Sequence, residues 1–342
     1  MCIRDSVDVA VKGNVMYADN YIDLITFDIS DPTNPIYKAR TTDVFNSIGL
    51  HEELGHLVYY EQTEVTEELD CNDPNFGSVS WPAQGAGNVF VDASTVRDND
   101  VSSAELNDIN LPTGIAGSLA SFSVIGDFLY VIDEWRLDAF DLEDPCNPVF
   151  HTTTEVGWAI ETLFPYKDDL LFIGSQTGMF IYSVATPGSP VYLSEFQHAR
   201  ACDPVIVKDD IAYVTLRDGT PCEGFNNQLD VIDVSDVNNP QLMASFNMEN
   251  PHGLSIKGNT LYLCEGRFGL KAFDLENFEE IDEINEHLLD QRSDVHAFDV
   301  IALPHKDVAL VIGDDGFYQY DISDPKELNT LSEIRADRNS CE

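Results

Sequence analysis

Few residues in this chain have the type and spacing of a reaction centre. The nearest approach is His51-Glu52-Glu53-Leu54-Gly55-His56. A zincin-type hydrolase needs histidines at i and i+4, so that one helix face offers both to the metal. Here the spacing is i, i+5 and no helical pattern surrounds it, so the segment is not read as a metal site. No Gly-x-Ser-x-Gly elbow occurs, and the small-residue run Gln84-Gly85-Ala86-Gly87-Asn88 reads as insertion rather than as a phosphate loop. A more useful set is Asp8, Glu161, Asp203, His252, His296 and Asp299. The repeat described below puts each near the start of a strand that lines a common axis. Converging there, such donors would hold Ca²⁺ or another cation; the alternative is that they hydrate the channel and cap loop amides. Trp81, Trp135 and Trp158, with Tyr59 and Tyr60, have the rings of a sugar or peptide groove, and equally those of ordinary rim packing.

Composition narrows the classes. The chain has 342 residues with 61 Asp+Glu against 18 Lys+Arg, a formal charge of −43. Such a chain repels phosphate backbones and anionic lipid, which excludes sequence-independent nucleic-acid binding. With so many carboxylates, a pair of them carries no information by itself. The hydrophobic fraction of 43% supports a sizeable core. No apolar run approaches the roughly 18 residues of a membrane span. The seven cysteines form no Cys-x-x-Cys and no zinc-like cluster, and Cys264, in an apolar strand, reads as an inert core thiol.

The elements that must position these residues recur along the chain. One unit runs from a Gly-Asn or Asp-Asp turn through an apolar-aromatic strand and a second apolar strand ending in Asp, then Asp-Pro-x-x-Pro. KGNVMYADNYIDLITFDISDPTNP (12–35) is the first copy and GDFLYVIDEWRLDAFDLEDPCNP (126–148) the second. Others begin at 167, 208, 257 and 306. The residues ending the second strand are Asp28, Asp141, Ser183, Asp233, Asp274 and Asp321, spaced by 113, 42, 50, 41 and 47. A period of about 40–50 residues with four short strands is the signature of a β-propeller. The expected fold is therefore all-β: six clear blades and a degenerate one over 42–70, seven in all. Residues 71–120 read as a long insertion and 278–290 as the one helix-like stretch. The single propeller domain is expected over 7–334, followed by a tail at 335–342. Residues 1–6 read as a non-native stub on an N-terminally truncated chain.

The endings FDISDPTNP, VIDVSDVNNP and YDISDP, each after a strand such as GNTLYL or GDFLYV, resemble the LVIVD repeat. SQTGMFIYSVATPGSPVYLSEF (175–196) with ACDPVIV and AYVTLR is similar to repeat-bearing envelope lipoproteins of Bacteroidetes-type bacteria. The resemblance covers 7–41 and 121–334. It implies a propeller in the cell envelope or outside the cell, with a lipid anchor preceding these residues, and it implies no catalytic residue. Two functions follow as expectations. One is a non-enzymatic surface protein that binds or scaffolds a protein or glycan. The other is a metal-dependent propeller hydrolase or lyase with its site at the channel mouth. The hairpin of Pro204–Val207 and Ile211–Leu216 places Cys202 and Cys222 at one end of a blade. A bridge between them would close a loop of about 20 residues, stabilising by roughly 3 kcal/mol. An exported protein favours the bridge and a reducing cytoplasm two free thiols.

The charge alone generates a prediction. Self-repulsion at −43 weakens the compact state most when salt does not screen it. The melting temperature should rise between low and high NaCl; an unchanged value would remove self-repulsion as a factor in stability.

Overall fold

The structure, a computed structural model, describes residues 9–20, 22–31, 34–45, 49–51, 55–57, 118–133, 135–157, 160–197, 204–217, 227–276, 284–314 and 316–335. They form six four-stranded antiparallel sheets, each with its strands paired in sequence order, and a two-stranded piece of Gly49–His51 and Gly55–Leu57. The sheets are the blades of a β-propeller, spanning 9–41, 122–155, 160–197, 205–247, 254–292 and 297–335. The first strand of each blade neighbours the first strand of the next from blade 1 to blade 6, so these strands lie innermost around the axis. Six full blades are thus found where seven were expected. In the degenerate region 42–70 the described residues give only the short pair at 49–57. The helix-like stretch also resolves differently. Ile284–His287 is a single 3-10 turn, and Leu288–Arg292 is the outer strand of blade 5, because its backbone completes the ladder on Leu270–Asp274.

Blades 1 to 5 each start with a tight hairpin, and blade 6 with a longer turn over 303–307. At Gly13, Gly126 and Gly258 the turn has φ near +58°, a left-handed conformation that glycine adopts without strain, while Asp209 and Asp210 take it up in blade 4. The Asp that ends the third strand then does the same work throughout. Asp28, Asp141, Asp233, Asp274 and Asp321 accept the N–H two residues on at 2.7–3.0 Å, and Ser183 Oγ does so at 3.3 Å. The intervening residue sends its own N–H back to the first hairpin turn, as in Ile29 to Asn14 O (2.8 Å) and Val234 to Asp210 O (2.9 Å). The Asp-Pro turn that follows closes by an i to i+3 bond such as Asn147 N–H to Asp144 O, 2.9 Å. The periodic motif is therefore a fastening that folds the second hairpin back on the first. These turns make up one face of the disc. The opposite face, made of the connections between blades and between second and third strands, is where the sequence varies.

Blades adhere through apolar side chains. Five clusters join successive pairs from blades 1 and 2 to blades 5 and 6, with fully buried anchors including Leu129, Leu163, Val214, Leu263 and Val311. The outer strands are largely exposed. In every described blade the ladder between third and fourth strands slips by one residue, leaving Lys38, His151, Leu193, Met243, Leu289 and Leu331 as the extra residues. Bulges of this kind increase twist and spoil an edge for further pairing.

The fastening can be tested in blade 4. Asp233 accepts from Ser235, and these bonds hold its carboxyl below the usual range. Asp233→Ala should lower the melting temperature by about 2 °C, and Asp233→Asn, which keeps an acceptor, by less. Because the folded carboxyl is the more acidic, its contribution is present above about pH 3.9 and is lost as pH falls through the lower folded value. Equal melting temperatures for the three proteins at pH 7 would show the bond to be idle.

Candidate functional site

The variable face gathers four of the six residues picked out above around the inner strands of blades 3 to 6. Glu161 and Phe298 owe their placement to backbone irregularities. In blade 3 the pairing jumps from Ile160–Ser175 to Thr162–Gly174, and in blade 6 from Ala297–Gly313 to Asp299–Ile312. Glu161 and Phe298 are the extra residues of these bulges, the device that re-aims a side chain next to a site. Glu161 accepts from Gln176 Nε2 at 2.9 Å, and burial raises its pKa despite that bond and the nearby Arg217.

His252 is the centre of the cluster. Its ring lies 5.2 Å from Phe298, whose other neighbour is His296 at 4.7 Å between centroids. Arg217 Nη1 approaches the His252 ring nitrogens at 2.6 and 3.0 Å, and Asn250 Nδ2 is 3.2 Å from Nε2. The His252 backbone is fixed from both sides: its N–H donates to Cys264 O and its carbonyl accepts from Thr215 Oγ1. Burial first, then Arg217 and His296, lower its pKa to about 3. The imidazole is neutral at pH 7 and receives the guanidinium N–H. His296 faces Asp314 at 3.8 Å.

Asp299 occupies the neighbouring position through close contact with Gly253. A Cβ on Gly253 would lie 1.9 Å from Asp299 Oδ1, so only glycine fits. Ser118, buried, donates to Asp299 Oδ1 (3.4 Å) and accepts the Leu254 N–H (2.8 Å). The Ser118 hydroxyl is thus directed to a carboxylate and an amide, not to an imidazole that would activate it as a nucleophile. Among the described residues, no group of three or more His, Cys, Asp or Glu stands close enough to hold a metal ion. Arg217 puts a fixed positive charge beside His252 and within electrostatic reach of Glu161.

Asp8 and Asp203 lie outside the described residues, as do Cys202, Cys222, Trp81, Trp158, Tyr59 and Tyr60. The backbone flanking the cysteines does meet, Thr215 N–H donating to Pro204 O at 3.2 Å. Cys264 is a buried free thiol whose pKa burial raises. Trp135 is on the same face, 36% exposed, with the Arg136 guanidinium 5.9 Å from its ring centroid. Arg217, Asn250, Gln176, Phe298 and Ser118 were not among the sequence candidates. Arg217 had no distinguishing signal, since Lys12, Lys208, Lys257, Arg292 and Arg335 also stand at strand ends.

Comparison with known proteins matches this architecture. The family model described as the LVIVD repeat fits residues 3–43, 116–154 and 200–248, which are blades 1, 2 and 4. Blades 3, 5 and 6, which the resemblance also covered, share the fastening without matching the family model. No curated protein matches the chain significantly. Among solved structures, a functionally unknown protein from Desulfotomaculum acetoxidans is 10% identical, covers 96% of this chain and 85% of its own, and has a TM-score of 0.52. The computationally designed Ika8 protein (10% identity, 96% and 87% coverage, TM-score 0.49) and BamB from Moraxella catarrhalis (11%, 95% and 71%, 0.46) are also similar. Of the three, the Desulfotomaculum protein bears on the fold, and on the fold alone. No helix among the described residues is long and apolar enough to cross a membrane.

The neutral His252 yields a pH prediction. Its folded pKa of about 3 lies below the unfolded 6.5, so between those values the unfolded chain binds the extra proton. Stability should fall as pH drops from 6.5 toward 3, by at most about 1.4 kcal/mol per pH unit from this group. His252→Gln should flatten that decline; parallel stability curves for the two proteins between pH 6 and 4 would show the ring to be titrating normally.

Proposed function

We propose that this chain, which carries LVIVD repeats, is a non-enzymatic binding or scaffolding protein of the cell envelope that engages a protein or glycan through its variable face. The observation that carries the reading is the arrangement around His252. An arginine occupies the place beside the imidazole, the Ser118 hydroxyl is committed to Asp299 and a backbone amide, and the Thr215 hydroxyl to the His252 carbonyl. Such a set offers a cation, amides and aromatic edges for recognition. The envelope location rests on the resemblance of the repeats to envelope lipoproteins.

The propeller supplies a rigid frame for such a face. Its turn side is fastened by repeated backbone bonds, while the connections on the other side differ in length and residue from blade to blade. Loops on a rigid scaffold are where recognition is usually placed.

The test is fractionation with an antibody against the chain, followed by incubation of the purified protein with envelope glycans and proteins. The expected outcome is recovery in the envelope fraction and saturable binding that Arg217→Ala weakens at least several-fold. The bound material should be unchanged in mass over time. Time-dependent products abolished by a chelator would overturn the reading in favour of the enzyme.

A further inference from the structure

The entry to blade 2 takes an unusual path. Phe122 opens the inner strand of that blade, yet Ser118, four residues earlier, is bonded to blades 5 and 6. Its hydroxyl accepts the N–H of Leu254, the first residue of the blade 5 inner strand, at 2.8 Å. The same hydroxyl donates to Oδ1 of Asp299, on the inner strand of blade 6, at 3.4 Å. Two residues on, Ala120 O accepts the Leu163 N–H from the inner strand of blade 3 at 2.7 Å. Ser121 O then accepts the Ile132 N–H from the second strand of blade 2 at 2.9 Å. Residues 118–121 thus bond to blades 2, 3, 5 and 6, and blade 4 lies between the two pairs. Four Cα steps reach at most about 14 Å, so the chain has no slack to pass around the outside of a four-stranded blade. Its path runs over the channel mouth, inside the ring of inner strands. Ser118 and Ala120 are each 2% exposed, while Leu119 between them is 42% exposed.

We propose that residues 118–121 are a crossbar that ties blades 2 and 3 to blades 5 and 6 across the channel mouth, with Ser118 the positioning residue for the loop that carries His252. The apolar clusters join each blade only to its neighbours in sequence, and among the described residues none joins blades 6 and 1. A row of blades fastened only at successive seams can splay, and a link between residues 136 apart in sequence opposes that motion where no seam does. The crossbar also reaches the site. Leu254 follows His252 and Gly253 directly, and the Asp299 carboxylate lies against Gly253. One hydroxyl therefore holds, just below the imidazole, both the amide that continues its loop and the carboxylate packed on that loop. Without Ser118 Oγ the buried Leu254 N–H loses its acceptor, a loss that costs more than the bond itself contributes. If Ser118 only filled a gap, its removal would be felt at Leu254 and nowhere else.

The experiment is residue-resolved amide hydrogen exchange by NMR on the full chain, comparing the natural sequence with Ser118→Ala and with Leu119→Ala, a change to the exposed side chain of the same segment. In Ser118→Ala the Leu254 amide should exchange at least fivefold faster. The amides of Phe122–Ile125, at the other end of the crossbar, should accelerate at least twofold, while Val205–Lys208 of blade 4 keep their rates. Leu119→Ala should leave all three unchanged. The His252 ring signals should move in Ser118→Ala and stay in place in Leu119→Ala. Acceleration confined to Leu254, spread equally over every blade, or absent would overturn the crossbar, and unmoved ring signals would overturn the positioning role. If Ser118→Ala does not fold, the natural protein decides: its Leu254 amide should exchange as slowly as those of the core strand Thr260–Cys264, and an unprotected Leu254 would overturn the proposal equally. No ligand enters the test, so its outcome is separate from that of the binding reading.

Discussion

The architecture depends on one short backbone fastening, repeated in every described blade. After each third strand a side-chain oxygen accepts the N–H two residues on, and the residue between donates to the first hairpin turn. This bond satisfies amides that would otherwise be stranded where a strand ends, and it fixes the path of the following Asp-Pro turn. The outer strand can then return in register. Because a propeller repeats its unit, a local rule obeyed six times becomes a global shape.

At the variable face the decisive relation is between Arg217 and His252. Burial first, and the guanidinium held against the ring second, keep the imidazole neutral, and the arginine adds a permanent positive charge at its side. The bulges at Glu161 and Phe298 bring a carboxylate and an aromatic ring to the same place from two blades further apart. Recognition chemistry here is assembled from irregularities in an otherwise regular frame. Gly253 shows how tightly: its lack of a side chain is what lets Asp299 approach.

Most of the frame was legible in the sequence because its determinants are local. Asp28, Asp141, Ser183, Asp233, Asp274 and Asp321 stood out by type and spacing, and each proves to be a turn acceptor. Strand bounds such as Thr260–Cys264 followed from apolar runs between turn residues. The segment around Leu288 misled because a short acidic-apolar stretch fits a helix as well as a strand until its partner is known. Strand starts were enough to nominate Glu161, His252, His296 and Asp299 as neighbours. Arg217 was not legible, because it enters from the end of a second strand and its partner is 35 residues away. A bulge likewise leaves no mark in sequence, so nothing singled out Phe298.

On the turn side, lysines reach from one blade to the next. Lys12 pairs with Asp127, Lys167 with Asp210 and Lys257 with Asp307, linking blades 1 with 2, 3 with 4 and 5 with 6. In blade 4 the corresponding Lys208 meets its own Asp209, and the turn ahead of it carries Asn259. Exposed pairs of this kind contribute little singly, about 0–1 kcal/mol. Their arrangement nevertheless gives the disc a period of two blades in its electrostatics over a period of one in its backbone. Because apolar clusters close all five of these seams, the clamps add a screenable term to alternate seams only, so salt loosens the seams 1–2, 3–4 and 5–6 slightly and leaves 2–3 and 4–5 as they are.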